Sequence, residues 1–287
     1  MPTPPVTRFA PSPTGALHLG HAFAAILAHD LARAGGGRFL VRIEDIDAAR
    51  SRPEFEAAIL ADLAWLGLAF ETPVRRQSEH VADYAAALRR LASLGVLYPC
   101  FCTRREIAEE VARSAGAPQG PDGPLYPGTC RALDESVRAA RIARGEPHAL
   151  RLDAAKALAI AGALAFREEG RGPAGEQGEI AVDPAGSGDV VLARKDFPAS
   201  YHLAVTVDDA AQGVTLVTRG EDLFAATHVH RVLQALLGLP VPRWHHHALV
   251  RDAAGARLAK RSESLSLAAL RAAGARPADI RARLGLV

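Results

Sequence analysis

Two rhythms of apolar residues alternate through the first third of the chain. Val6–Phe9 reads as a short buried strand, and Ala10–Gly20, marked by Pro11, Pro13, Gly15 and Gly20, reads as a loop. From His21 the residues Phe23, Ile26, Leu27 and Leu31 share one helical face, and Gly35-Gly36-Gly37 stops the helix. Arg38–Ile43 reads as the next strand. Strand, helix and strand joined by a right-handed crossover predict a parallel sheet.

The pattern continues with Phe55, Ile59, Leu63 and Leu66 on a second helical face. Ser51, with Pro53 in the first turn and Glu54 three residues on, predicts its start, and Gly67 its end. Glu79–Leu94 reads as a third helix, closed by Gly95. Thr103 with Glu106 forms another capping-box pattern ahead of a short helix. Ser114–Pro127 is rich in Gly and Pro and reads as a loop, Asp134–Arg144 as a helix, and Gly170–Gly188 as a connection. Strands are expected at Asp189–Ala193, Leu203–Val207, Val214–Thr218 and Ala248–Val250. A helix is expected over Thr227–Leu237, and Ser264–Val287 reads as a short helical tail. Alternating β and α elements favour an α/β doubly wound, Rossmann-like sheet with a segment inserted near the middle.

Composition changes this picture little. Of 287 residues, 49% are hydrophobic and 23% charged, which suits a soluble fold with a real core. The net charge of +2 neither demands nor excludes nucleic acid. No apolar run approaches the ~18 residues of a membrane span, and the N-terminus lacks a secretory pattern. The expected compartment is the cytoplasm. Three cysteines, Cys100, Cys102 and Cys130, cannot form a disulfide framework. Taken alone, they leave metal binding and simple apolar packing equally open.

The candidate chemistry begins at the loop after the first strand. His18-Leu19-Gly20-His21 opens a helix, whose N-terminal N–H groups suit phosphate. Gly20 permits close approach of a nucleotide, and the two imidazoles could donate to phosphates as charge develops. Far along the chain, Arg257-Leu258-Ala259-Lys260-Arg261 offers cations for the same purpose. Alone, each motif could be an ordinary helix start or a basic loop. Together they resemble the paired "HIGH" and "KMSKS" elements of class I aminoacyl-tRNA synthetases, with Lys260 at the second lysine. Arg257, Ala259 and Arg261 depart from that pattern, and Ala259 supplies no hydroxyl.

The resemblance narrows to the glutamyl subgroup. It is carried by Arg8–Gly15 (RFAPSPTG), Val41–Asp47 (VRIEDID), Tyr201–Asp209 (YHLAVTVDD) and Val217–Leu223 (VTRGEDL), in that order. It implies an amino-acid pocket lined by Arg8, Phe9, Ala10, Pro11, Ser12, Glu44, Tyr201 and Arg219. Arg8 and Arg219 would hold carboxylates, and Glu44 would accept from the ammonium. It also implies that His18, Gly20, His21 and Lys260 bind ATP, with His18, His21 and Lys260 assisting catalysis and Mg2+ accompanying the nucleotide.

Cys100-Phe101-Cys102 followed by Tyr126-Pro127-Gly128-Thr129-Cys130 is similar to the zinc knot of glutamyl-Q tRNA(Asp) synthetases. That resemblance implies one structural Zn2+ held by Cys100, Cys102, Tyr126 and Cys130. His148 is the conventional alternative for the fourth ligand. The implied layout is residues 1–98 and 189–287 as two halves of a catalytic domain, with 99–188 inserted between them. Only 27 residues follow Lys260, so no anticodon-binding domain is expected. The family's activity would then be tRNA-independent activation of glutamate with ATP and its transfer to the queuosine base of tRNA(Asp), by a monomer. Three other readings stay open: a shortened enzyme charging the 3′ end of tRNA(Glu), an inactive synthetase-like tRNA-binding protein, and an unrelated nucleotidyltransferase.

Overall fold

The computed structural model describes residues 3–113, 119–120, 123–250 and 266–286. The chain begins β1 (Val6–Phe9), α1 (Leu19–Ala34), β2 (Arg38–Ile43), α2 (Pro53–Trp65), β3 (Arg75–Arg76), a 3-10 turn and α3 (Val81–Ser93). There follow β4 (Leu97–Cys100), α4 (Arg104–Arg113), a small hairpin of β5 (Gln119–Gly120) and β6 (Gly123–Pro124), α5 (Glu135–Ala143), β7 (Ala149–Leu152), α6 (Ala154–Ala161), β8 (Ala165–Glu168), β9 (Gly178–Ala181) and β10 (Val191–Ala193). The last part runs α7 (Tyr201–Ala211), β11 (Leu216–Gly220), α8 (Phe224–Leu237), β12 (Arg243–His247), α9 (Leu267–Ala272) and α10 (Pro277–Arg283).

The central sheet is parallel. β1, β2 and β3 pair in parallel, as do β11, β12 and β8, with β9 antiparallel at the edge. The Thr215 N–H donates to the Val6 carbonyl, and the Val6 N–H to Thr215 Oγ1, so β1 lies beside the start of β11. β4, β7 and β10 form a separate antiparallel sheet.

Alternation along the central strands sorts two chemistries onto two faces. On β2, Phe39, Val41 and Ile43 join the core under α1 and α2. Leu40 belongs to another cluster, with Val217, Phe224 and Trp244, and Arg42 reaches Asp209 of α7. On β1, Thr7 Oγ1 donates to the Ala28 carbonyl of α1, whereas Arg8 turns to Asp209. Small residues on the buried side of α1, Ala22, Ala25, Ala28 and Ala32, let that helix lie close to the sheet. Helices thus cover both faces, and the face toward α7 and α8 carries buried charge.

Five expectations need correction. The Ser114–Pro127 loop contains the hairpin of β5 and β6. Leu203–Val207 is not a strand but the middle of α7. The helix is buried on almost every side, at Leu203, Ala204, Val205, Thr206, Asp208 and Asp209. Burial all round removes the 3.6-residue rhythm, and the β-branched run then imitates a strand. Ala248–Val250 has no regular structure; the strand is Arg243–His247, whose buried Trp244 and His246 alternate within a polar-looking run. Ser51 does not cap α2: Arg52 holds that position, and the buried Ser51 hydroxyl has no hydrogen-bond partner. The Gly170–Gly188 connection contains β9, which pairs with β8.

Candidate active site

His18 is the N-cap of α1. The Gly20 N–H donates to His18 Nδ1 at 3.1 Å, and the His18 N–H donates to His21 Nδ1 at 3.2 Å. Each ring therefore uses Nδ1 as an acceptor, which puts the proton on Nε2. The ring centroids lie 3.8 Å apart. A Cβ on Gly20 would lie 3.0 Å from the His18 ring, so a larger residue there would press on the cap. Ser266 bridges to His18, and the Leu267 N–H donates to the Leu17 carbonyl at 2.8 Å. Ser266, the first residue described after Val250, therefore lies beside the start of α1. Arg257, Ala259, Lys260 and Arg261 themselves lie outside the described residues.

The loop Ala10–Ser12 is fastened over the end of β2, where the Glu44 N–H donates to the Pro11 carbonyl at 3.0 Å. Phe9 and Pro11 are buried, Ala10 is partly buried, and Ser12 is exposed. Next to them lies a buried ionic network. Arg8 Nε donates to Asp209 Oδ1 at 2.9 Å, Arg8 Nη2 to Asp209 Oδ2 at 3.3 Å, and Arg8 Nη1 to the Thr218 carbonyl at 3.0 Å. Arg42 Nη1 donates to Asp209 Oδ1 at 2.8 Å, and Arg42 Nη2 to Glu44 Oε1 at 3.2 Å. Burial would raise the Asp209 carboxyl, but Arg8 and Arg42 outweigh it and hold the group below the usual range. Glu44 goes the other way: burial pushes it up, against the pull of Arg42 and Arg8. An ammonium group arriving at Glu44 would favour its ionised form.

Arg219 is different. It is 6% exposed, and each partner it has is neutral. Nε donates to His246 Nε2 at 3.1 Å, Nη1 to the Tyr201 hydroxyl at 3.2 Å and to His230 Nδ1 at 3.3 Å, and Nη2 to Thr227 Oγ1 at 2.6 Å. Burial depresses its pKa, so the enclosed cation is strained. The two nearby histidines are neutral: His246 is pushed down to about 4 by burial, and His230 well below its usual value. His202, hydrogen-bonded to His230 at 3.2 Å, is likewise lowered by burial to about 4. No carboxylate among the described residues hydrogen-bonds to Arg219. The arrangement can receive an anion, because a carboxylate would supply the missing countercharge. Tyr201, whose pKa burial raises, stays a phenol and can donate its own O–H there.

Away from this pocket, Cys100, Cys102 and Cys130 place their sulfurs within 4.8 Å of one another. Cys102 Sγ lies 3.4 Å from Cys130 Sγ and 3.6 Å from the Tyr126 hydroxyl. A tetrahedral metal with bonds of ~2.3 Å spaces its sulfurs about 3.8 Å apart, so the donor set fits such an ion. The Cys130 N–H donates to the Tyr126 oxygen at 2.8 Å, and the Arg151 guanidinium sits 3.8 Å over the Tyr126 ring. Burial and the neighbouring sulfurs nevertheless hold the Tyr126 phenol well above its usual range, so its oxygen would lose the proton only to a bound cation. Burial and the neighbouring sulfurs push the Cys102 thiol up to about 12, a penalty that a bound cation would reverse. His148 is not part of this cluster: its Nδ1 lies 3.0 Å from the Glu146 carbonyl and its ring packs on Phe101.

A cleft of about 650 Å³ runs from Cys102 and Tyr126 to Tyr201 and His202, bordered by Arg104, Arg151, Arg194 and Lys195. Tyr201 therefore opens onto a cleft whose lining carries those four cations against two carboxylates, Asp189 and Asp196. Sequence reasoning missed Asp209, Arg42, His230, His246 and Glu168. The only available signal was charge inside apolar runs: Arg42 between Val41 and Ile43, and Asp208-Asp209 after Val207.

Residues 5–286 match the family described as tRNA synthetases class I (E and Q), catalytic domain. The chain belongs to this family. Within this synthetase family it is 54% identical to the glutamyl-Q tRNA(Asp) synthetase of Rhodobacter capsulatus, covering 98% of this chain and 100% of that one. It is 47% identical to the enzyme of the same name from Nocardia farcinica, over 96% and 82% of the two chains. Among solved structures it resembles a glutamate tRNA ligase from Elizabethkingia meningosepticum in complex with its amino acid, with a TM-score of 0.73 and 26% identity. That likeness covers 90% of this chain, which spans about half (52%) of the ligase. The class I α/β fold with its parallel sheet is thus common to this synthetase and its solved neighbour.

Proposed function

We propose that this synthetase activates glutamate with ATP, giving glutamyl-adenylate and pyrophosphate without help from tRNA. It then transfers the glutamyl group to a hydroxyl of the queuosine base at the wobble position of tRNA(Asp). The observation that carries the reading is Arg219, a buried cation surrounded by neutral partners beside the Glu44–Arg42–Arg8 network. A small molecule with a carboxylate for Arg219 and an ammonium for Glu44 completes both charge sets. The names of the relatives point the same way.

In this reading Arg8, the Phe9–Ser12 loop, Glu44, Tyr201 and Arg219 hold glutamate. His18, Gly20 and His21 meet the phosphates of magnesium-bound ATP, and Lys260 joins them as pyrophosphate leaves. The α-carboxylate attacks the α-phosphate in line, so the protein mainly positions reactants and stabilises charge. Cys100, Cys102, Tyr126 and Cys130 hold a structural Zn2+, which fixes one wall of the cleft through which the nucleoside acceptor enters. We take 1–98 and 189–287 as the catalytic halves and 99–188 as the insert, although β8 and β9 of that insert extend the central sheet beside β12, and its β7 pairs with β10. We take the protein to act as a cytoplasmic monomer. Among the described residues no helix is long and apolar enough to cross a membrane.

The test is incubation with ATP, labelled glutamate and tRNA prepared with and without queuosine. Label confined to queuosine-containing tRNA(Asp) is the expected result. Equal labelling of tRNA lacking queuosine would replace this reading with charging of a 3′ end.

A further inference from the structure

Glu168 touches no surface of the pocket, yet it is tied to Arg219 through one imidazole. Its side chain, like that of His246, is fully enclosed. Glu168 Oε2 lies 2.5 Å from His246 Nδ1, and Oε1 accepts from the backbone N–H groups of His246 at 2.9 Å and Gly170 at 2.8 Å. On the other side of the ring, His246 Nε2 accepts from Arg219 Nε at 3.1 Å. The register makes this possible: Arg219 of β11 pairs with His246 of β12, and Trp244 of β12 pairs with Glu168 of β8. Gly170 is part of the device. A Cβ there would sit 2.2 Å from the His246 carbonyl oxygen, so only glycine lets its N–H reach Glu168.

We propose that Glu168 is a positioning residue for recognition of the substrate carboxylate, acting through His246 on Arg219. This rests on the reading that Arg219 binds a carboxylate of glutamate. An ionised Glu168 requires the proton of His246 on Nδ1, which leaves Nε2 with a lone pair aimed at Arg219 Nε–H. The opposite tautomer would set two N–H groups against each other. A carboxylate placed directly on Arg219 would also orient the guanidinium, but it would occupy the charge that the substrate needs. One imidazole of separation orients the cation and leaves it uncompensated. Asp209 already takes the direct role at Arg8, so the two arginines of the pocket are held in different ways: Arg8 by a carboxylate and a carbonyl, Arg219 by neutral partners alone.

The experiment is steady-state pyrophosphate exchange on the full chain, with KM for glutamate and for ATP determined separately, and with glutamine as competing substrate. Four variants are compared: Glu168→Gln, Arg219→Gln, His246→Gln and His246→Leu. Glu168→Gln keeps the shape but can present its amide N–H to His246 Nδ1 and so select the wrong tautomer. Its KM for glutamate should rise on the order of tenfold, the weight of one charge-assisted hydrogen bond, with KM for ATP within about twofold and reduced preference for glutamate over glutamine. At His246, the Gln variant offers an acceptor to Arg219 and should retain more glutamate affinity than His246→Leu; this comparison stands even if Glu168→Gln fails to fold. An unchanged KM for glutamate in Glu168→Gln, a parallel rise in both KM values, or equal losses in the two His246 variants would overturn the proposal. If Arg219→Gln itself leaves KM for glutamate unchanged, the parent reading fails instead.

Discussion

Arg219 and His246 face one another in register across two parallel strands, and the guanidinium Nε donates to the imidazole Nε2 at 3.1 Å. The contact joins a cation to a neutral ring, not to an anion. Parallel pairing aligns residues of one face across neighbouring strands. Glu168, His246, Arg219, Arg8 and Arg42 thus come from β8, β12, β11, β1 and β2, and form a polar row beneath α7 and α8. The pocket is built by the sheet, and the helices close it.

Removing the receptor charge should weaken glutamate far more than ATP. Arg219→Gln is expected to raise KM for glutamate by on the order of 10²–10³, the range for losing one member of a buried charge pair, with little change in KM for ATP. Pyrophosphate exchange at varied concentrations of each substrate measures the two values.

Asp209 should behave as a stability residue. It balances Arg8 and Arg42, both buried; Asp209→Asn leaves Arg42 with Glu44 and Asp208 but strips Arg8 of its carboxylate partner, and should cost about 3–5 kcal/mol at pH 7. Its pKa is lowered in the folded protein, so its contribution is present above the unfolded value near 3.9 and is lost as pH falls through the folded one. The gap between wild type and Asp209→Asn should therefore narrow below about pH 4. Urea unfolding at pH 7 and pH 3 checks this.

The buried histidines set a second window. His202 and His246 titrate near 4 in the fold, below their ordinary value of 6.5, because burial disfavours the imidazolium. The unfolded chain thus binds more protons between these values, and stability should fall as pH drops from 6.5 toward 4. Thermal melts across that range should show a declining midpoint, with a weaker decline when His202 is replaced by Gln.

At the cysteine cluster, the purified protein should carry one zinc per chain. Tyr126→Phe should weaken metal retention by roughly 10-fold or more and Cys102→Ser should abolish it, each lowering the melting temperature. Metal analysis of dialysed protein, alongside the melts, provides the readout.

Much of the frame was legible because its parts are locally encoded. β1, α1 and β2 stand out as apolar runs separated by Pro and Gly, and the Thr103–Glu106 capping box is formed by both of its hydrogen bonds. What escaped depends on packing. α7 hides its period because it is buried nearly all round. β12 reads as polar because only Trp244 of its five residues joins a core cluster, while the buried His246 faces the site. The Glu168–His246 contact spans 78 positions, and only the strand register brings the two together. Arg219 and Tyr201 could be named from motif likeness, but the neutrality of Arg219's surroundings is a property of the fold.

The most direct measurement of the central claim is ATP–pyrophosphate exchange by the wild-type protein in the complete absence of tRNA, with glutamate, glutamine and aspartate compared. The account predicts exchange with glutamate, strongly reduced with the uncharged amide and with the shorter acid. No exchange with glutamate, or equal exchange with glutamine, would contradict it.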